Sequence, residues 1–283
     1  MTLLVVLGPD LVPHVVPADT PILRADDLGA VRGDGVFETV NVRGGAPWLL
    51  DPHLDRMARS AAALELDLPP RAALTALAAT ACAGWPAADE GQLRIVVTRG
   101  PESGGAPTVY ATLKPISEKQ RAQRRAGIAV RTLSLGLPAT VRTAEPALLA
   151  GAKTLSYAVN MACQRWAAAQ GADDVLWLSA DGYALEAPTS SLVWLRDGVL
   201  CTVPPATTGI LAGTTAAHLL SRAGELGWTA AERMVRPAEL ASTQGAWLTS
   251  SARGLVELRE LDGAALGPSP ETSRIAKLLG FPT

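Results

Sequence analysis

An α/β (α+β) fold is what this 283-residue sequence predicts, and three observations predict it. Short runs rich in β-branched residues alternate with longer helix-like stretches along the whole chain. Glycine-rich and Asp-Gly turns, such as Gly100–Pro107 and Asp197-Gly198, separate the strand-like runs. One strongly charged stretch, Glu118–Arg125, follows Pro115 and precedes Gly127. It reads either as a junction between two domains or as the solvated face of a helix.

The elements follow in order. Leu3–Leu7 is a first strand, and Gly33–Val42 is a turn feeding a second, closed by Arg43-Gly44-Gly45. Asp51-Pro52 is a helix start, with Asp at the N-cap and Pro at the first helical position; that helix should run to about Leu66. A second helix fits Arg71–Ala83. Leu93–Thr98 and Thr108–Leu113 are strands. Beyond the charged stretch, Ile128–Leu133 is strand-like, Ser156–Gln170 is a helix ended by Gly171, and Val175–Leu178 is a strand. Ser191–Arg196 and Val199–Val203 form a hairpin over Asp197-Gly198. Gly213–Leu226 is a helix, Ala246–Thr249 and Leu255–Leu261 are strands, and the chain closes in a helix near Ser273–Leu279.

Composition bounds the function. Hydrophobic residues make up 48% and charged residues 18%, a globular balance with enough apolar matter for sizeable cores. The net charge of −2 gives no basic excess, so nucleic acid is not an expected partner. No stretch approaches the length needed to cross a bilayer, and Met1–Pro13 lacks the basic start and apolar length of a signal peptide. The three cysteines, Cys82, Cys163 and Cys201, are scattered and odd in number, which fits free thiols in a cytoplasmic setting.

Several chemistries are disfavoured. The sequence has no GxxxxGK[ST] loop, no GxSxG elbow and no HExxH, and no Gly-rich segment that makes GxGxxG after a strand. With histidines only at His14, His53 and His218 and no paired cysteines, no metal site is expected. Lysine is the informative residue. There are four, Lys114, Lys119, Lys153 and Lys277. Lys153 differs from the rest: small residues precede it (Ala150-Gly151-Ala152) and a helix is expected after it. Apolar surroundings ease proton loss from a lysine, as a Schiff-base lysine requires. On spacing alone, an ordinary surface lysine is the favoured reading, since most lysines are exposed.

Six segments then occur in an order that resembles a known family. They are Gly33-Asp34-Gly35-Val36-Phe37-Glu38-Thr39, His53-Leu54-Asp55-Arg56, Lys153-Thr154-Leu155-Ser156-Tyr157 with Asn160, Asp181-Gly182-Tyr183 to Glu186, Gly209-Ile210-Leu211-Ala212-Gly213-Thr214-Thr215, and Leu248–Gly254. The chain resembles the class IV aminotransferases, also called fold-type IV enzymes of pyridoxal 5′-phosphate (PLP). The resemblance implies two domains, a small N-terminal α/β domain over residues 1–117 and a larger C-terminal pseudo-barrel over 128–283 that carries the Schiff-base lysine. Residues 118–127 would link them. It also implies PLP as cofactor, held in the cleft between the domains, and a homodimer that completes the site.

Residue roles follow from the same resemblance. Lys153 would carry the cofactor and shuttle protons. Glu186 would pair with the pyridine nitrogen and keep it protonated. Arg56 would bind the cofactor phosphate through a bidentate fork. Thr214 and Thr215, opening a helix, and Ser251 would add phosphate contacts. Tyr157 would contact the phenolic oxygen of PLP or stand as a core tyrosine. The chain departs from the family at Ser191, often Asn, at Thr214, often Ile, and at Ala216, usually Arg.

The family's members differ in how they hold substrate carboxylates. D-amino-acid transaminases resemble one another in an Arg-x-His pair after the TRG segment and in a Tyr where this chain has Phe37. Here Thr98-Arg99-Gly100 is followed by Pro101-Glu102-Ser103-Gly104-Gly105. Ser250-Ser251-Ala252-Arg253-Gly254 resembles the late turn of 4-amino-4-deoxychorismate lyases. Arg253 would there hold a substrate carboxylate, or else lie exposed on the turn. The resemblance therefore implies a PLP-dependent lyase that converts aminodeoxychorismate to 4-aminobenzoate and pyruvate in folate biosynthesis, with Phe37 and Arg253 facing substrate. The alternatives are an aminotransferase acting on branched-chain L- or D-amino acids, and an inactive scaffold homologue.

Overall fold

A computed structural model describes residues 2–281. The chain divides into two compact units. The first comprises the chain up to Ser117 together with Ala152–Tyr157; the second comprises Glu118–Gly151 and the chain from Ala158 onward.

The first unit is a six-stranded sheet with helices on one face. Its elements are β1 (Leu3–Leu7), β2 (Pro13–Val16), the short helix α1 (Leu28–Val31), β3 (Gly35–Arg43), β4 (Ala46–Pro47), α2 (Leu50–Ala63), α3 (Arg71–Ala83), β5 (Gly91–Thr98) and β6 (Val109–Pro115). The order β2-β1-β6-β5-β3-β4 is antiparallel throughout. Alternation along β3 sends Val36, Val40 and Val42 into a core shared with Leu54, Met57, Leu74 and Leu77 of the two helices. Helix α2 begins one residue before the expected Asp51 cap. Leu49 takes the N-cap position in the left-handed region, φ 57 and ψ 38. The Asp51 carboxylate instead accepts from Arg71 of α3 at 2.7 Å.

The second unit carries α4 (Glu118–Ala126), β7 (Ile128–Ser134), α5 (Val141–Ala144), α6 (Ala158–Ala169), β8 (Asp174–Leu178), β9 (Glu186–Ala187), β10 (Ser190–Arg196), β11 (Val199–Thr202), α7 (Pro205–Thr208), α8 (Thr214–Ser221), β12 (Thr229–Glu232), α9 (Pro237–Leu240), β13 (Gly245–Ser250), β14 (Gly254–Leu261), β15 (Ala264–Ala265) and α10 (Thr272–Leu279). The sheet order is β12-β11-β10-β13-β14-β7-β8. Strands β7 and β8 and strands β14 and β7 are parallel, whereas β10, β13 and β14 are antiparallel. The sheet curls on itself, because Leu178 at the end of β8 bridges Ala184 and β9 pairs with β10. Trp177, Trp194, Leu192 and Leu248 fill the interior. The β10–β11 hairpin turns through Asp197 and Gly198 at φ 53 and 71, the positive values that a two-residue hairpin turn needs.

Two features of the expected domain plan differ. The stretch assigned to a linker is helix α4. It buries Arg124, whose Nε and Nη2 donate to the carbonyls of Arg253 and Ala252 at 2.7 and 2.9 Å. Lys153, expected in the C-terminal domain, belongs to the first unit. Thr154 bridges Val36 of β3, and the Leu155 N–H donates to the Gly35 carbonyl at 2.9 Å. The segment returns because β3 still has backbone groups to pair at its start. Among the described residues, no helix is long and apolar enough to cross a membrane.

Candidate active site

The candidates around Lys153 are built on β3 and α2 of the first unit. Lys153 is buried. Its backbone N–H donates to Ser60 Oγ at 2.9 Å, and its carbonyl accepts from the Phe37 N–H at 3.2 Å. Its amine donates to the Tyr157 hydroxyl at 2.9 Å and lies 4.3 Å from the centre of the Phe37 ring. Phe37 and Tyr157 meet edge to face with ring centres 5.0 Å apart. Ser60 in turn donates to the Arg56 carbonyl at 3.0 Å, so the lysine backbone is tied to helix α2.

Beneath this lies a charged cluster that the sequence reading missed. Glu38 sits on the core face of β3 and is fully buried. Arg56 donates to it from Nε and from Nη2, each at 2.7 Å, and His53 Nδ1 lies 2.7 Å from its Oε2. Burial pushes the Glu38 carboxyl up, but the charge and hydrogen bonds of Arg56, joined by His53, outweigh it and bring it down to about 2. Burial holds the His53 imidazole below its usual range, against the pull of Glu38. An ionised carboxylate beside a neutral ring makes Nδ1 the ring's donor. The bidentate fork expected to grip phosphate therefore grips Glu38. One signal pointed to Glu38: a carboxylate at an inward position between Val36 and Val40 needs a buried cation.

The second unit gathers the other candidates around the start of β10. Glu186 on β9 is buried opposite Ser191, and the Leu211 N–H reaches its two oxygens at 3.3 Å each. Arg142 Nη1 lies 3.7 Å from Glu186 Oε1. Thr214 and Thr215 open α8 and are buried, with Gly213 at the N-cap and no side chain capping the helix. The Thr215 Oγ1 is buried without a hydrogen-bond partner. A β-carbon at Gly213 would meet the Ser191 hydroxyl, so a larger residue there would have to turn that hydroxyl away. Ser191 also faces Thr249 of β13, two residues before the buried Ser251. Arg253 is not exposed on its turn. Its Nη2 donates to Asp174 at 2.6 Å and to Ser190 at 3.0 Å in a buried ion pair, a structural setting that already supplies the guanidinium with a carboxylate. Nothing in the sequence marked Arg142 or the Leu211 N–H.

The structure thus brings together Phe37, Arg56, Lys153 and Tyr157 in one unit and Glu186, Thr214, Thr215, Ser251 and Arg253 in the other. The chain belongs to the class IV aminotransferases: residues 35–261 match the family described as "Amino-transferase class IV". It is 43% identical over 274 residues, 94% of this chain and 95% of the relative, to a protein of Mycobacterium tuberculosis named bifunctional aminodeoxychorismate lyase / D-amino acid transaminase. Its fold is similar to the structure of a hypothetical aminotransferase from Mycobacterium tuberculosis with α-ketoglutarate and PMP bound, at TM-score 0.93 and 42% identity, covering 98% of this chain and 97% of that one. A fold IV transaminase from Curtobacterium pusillum follows at TM-score 0.90 and 36% identity, again covering 98% and 97%.

The residues present fit PLP. The orphaned Thr215 hydroxyl at a helix start suits a phosphate, and such a buried donor without an acceptor is rare in a finished site. The buried Glu186 carboxylate suits a protonated ring nitrogen, and the Lys153 amine suits an aldehyde carbon.

Proposed function

We propose that this PLP-dependent enzyme is a 4-amino-4-deoxychorismate lyase, releasing pyruvate and leaving 4-aminobenzoate. The observation that carries the reading is the fate of the turn after Thr98-Arg99-Gly100. Arg99 is held by Asp34 at 2.6 Å and by the carbonyls of Leu64 and Glu65 at 2.6 and 3.1 Å. Ser103 and Glu102 bond back to Asp26. That turn is satisfied by the protein itself and offers no Arg-x-His pair for an amino-acid carboxylate. The name of the 43%-identical relative supports the same assignment.

In this reading Lys153 carries the cofactor as a Schiff base. Arg56, Thr214, Thr215 and Ser251 would hold its phosphate, and Glu186 its ring nitrogen. When bound, PLP supplies an electron sink for a carbon beside the substrate nitrogen. The Lys153 amine would serve as the base at the substrate ring carbon that bears the amine. The Tyr157 hydroxyl fixes where that amine nitrogen sits, and the Phe37 ring keeps water from its other side. Scission of the bond from the ring carbon to the ether oxygen would then leave the six-membered ring aromatic and release the side chain as the enolate of pyruvate, which takes up a proton on its methylene carbon to give pyruvate. Given its Asp174 partner, we assign Arg253 to holding the turn before Gly254, so that it acts on substrate only through that turn.

A second reading is D-amino-acid transamination, favoured by the other half of the same relative's name. There Lys153 would return its proton to the cofactor side. We further read the chain as a cytoplasmic homodimer. Its cysteines are free and buried, and α6 exposes Val159 and Trp166 at 60% and 37%. The test is 4-aminobenzoate fluorescence from aminodeoxychorismate generated in situ, with Lys153→Ala as control. Loss of at least a thousandfold in the variant is expected for a residue that both binds covalently and moves the proton. A PLP-loaded wild type that makes no product would sink the lyase reading and leave transamination.

A further inference from the structure

The Gly209–Thr215 segment does more than open α8. Its Leu211 N–H donates to Glu186, and Gly209 makes room for Arg142. A β-carbon at Gly209 would stand 2.9 Å from the Arg142 Cβ and 2.8 Å from that of Ala150, and the residue is held at φ 66. The Gly209 carbonyl also accepts from the Gly151 N–H at 2.9 Å, which locks the chain around α5 against this loop. The seat so formed brings Arg142 Nη1 to 3.7 Å from Glu186 Oε1. That nitrogen is buried and has no hydrogen-bond acceptor among the described residues. At 3.7 Å it exerts charge on Glu186 without bonding to it.

We propose that Arg142 is a positioning residue that sets how tightly Glu186 holds a proton on the pyridine nitrogen of the cofactor. The inference rests on the assignment of Glu186 to that nitrogen. A guanidinium remains charged at every working pH. Beside a carboxylate it keeps the carboxylate ionised, and where water is scarce the attraction is strong. The same cation opposes a second positive charge nearby. Glu186 alone would bind the ring proton firmly, and Arg142 weakens that hold. Ser190 and Ser191 of β10 are neutral, Leu211 offers a backbone N–H, and Asp174 of β8 is paired with Arg253 at 2.6 Å. Proton occupancy of the ring nitrogen governs how well the site stores negative charge, so Arg142 tunes the step shared by elimination and transamination.

The test loads wild type, Arg142→Met, Arg142→Gln, Arg142→Lys and Glu186→Gln with PLP labelled at the pyridine nitrogen with ¹⁵N. The ¹⁵N shift is followed against pH, with folding checked by circular dichroism. In Arg142→Met and Arg142→Gln the ring nitrogen should keep its proton to higher pH, by about one unit, a roughly tenfold change in affinity. Arg142→Lys should stay with wild type, and Glu186→Gln should move the opposite way. Unchanged midpoints in both charge-removing variants, with Glu186→Gln displaced, would overturn the role of Arg142 and leave that of Glu186. A lysine variant that moves as far as methionine would overturn charge as the cause. An unmoved Glu186→Gln would remove the underlying assignment, and the inference with it.

Discussion

The candidate residues of the two units are finished to different degrees. Around Lys153 the protein supplies every partner. The backbone N–H has Ser60, the carbonyl has Phe37 and the amine has Tyr157. Beneath them Glu38, His53 and Arg56 close a buried charge cluster. In the second unit, Thr215 Oγ1 and Arg142 Nη1 are buried donors without a hydrogen-bond partner among the described residues. A buried donor without an acceptor raises the free energy of the folded chain, and an incoming acceptor relieves it. The Glu38 cluster beneath Lys153 is therefore set by folding, whereas the Thr215 hydroxyl is left for an incoming acceptor. Substitutions in that cluster should cost stability, and substitution of Thr215 should cost affinity.

The largest expected effect lies in the Glu38 cluster. Glu38→Ala leaves the buried Arg56 guanidinium without its carboxylate, and breaking such a pair costs about 3–5 kcal/mol. Thermal and urea denaturation of the PLP-free protein would measure it. A loss below about 1 kcal/mol would mean that solvent reaches the cluster and would end the contrast between the two units.

Acid should act on the same cluster in two stages. His53 has a folded pKa below its ordinary 6.5, so the unfolded chain binds the proton first and stability falls as pH drops below about 6.5. Glu38 has a folded pKa of about 2 against an ordinary 4.5; its contribution is whole above 4.5 and is lost as pH falls from there towards 2. Denaturation midpoints of wild type and His53→Asn between pH 7 and 5 separate the stages. The wild-type slope in that window should flatten in the variant, and parallel slopes would show that some other group titrates there.

The same contrast explains what was legible in the sequence. Elements whose cause is local were read to the residue, as with Leu3–Leu7 and Arg71–Ala83, where a β-branched run and a helix-forming run decide the matter. The Asp197-Gly198 turn was equally plain, since it needs two positive φ values. Elements decided by distant partners were not. Asp51 has the composition of an N-cap, yet its carboxylate is taken by Arg71, so the helix starts at Leu50. The charge run at Glu118–Arg125 is a helix because Arg124 finds buried carbonyls some 130 residues later. The single helix expected over Gly213–Leu226 breaks at Arg222, which caps α8 before a 3₁₀ turn over Ala223–Leu226. Lys153 itself was recognisable from its motif, but its place beside β3 rests on a bridge from Thr154 to Val36 that no local pattern encodes.

The smallest effect is the sharpest test of the second unit. Thr215→Val removes the orphaned hydroxyl and keeps the branched shape, which suits the first turn of α8. Because that hydroxyl has no partner in the protein, the PLP-free variant should be as stable as wild type or slightly more so. A phosphate oxygen is an ionised acceptor, and a hydrogen bond to one contributes about 1.5–3 kcal/mol. PLP should therefore bind the variant roughly tenfold or more weakly in a titration followed by the cofactor's absorbance, and Thr215→Ser should restore most of the affinity. A variant that loses stability without cofactor, yet binds PLP as tightly as wild type, would mean that the hydroxyl serves the fold. The division between a cluster set by folding and a hydroxyl left for a ligand would then fail at the residue where it is most exposed.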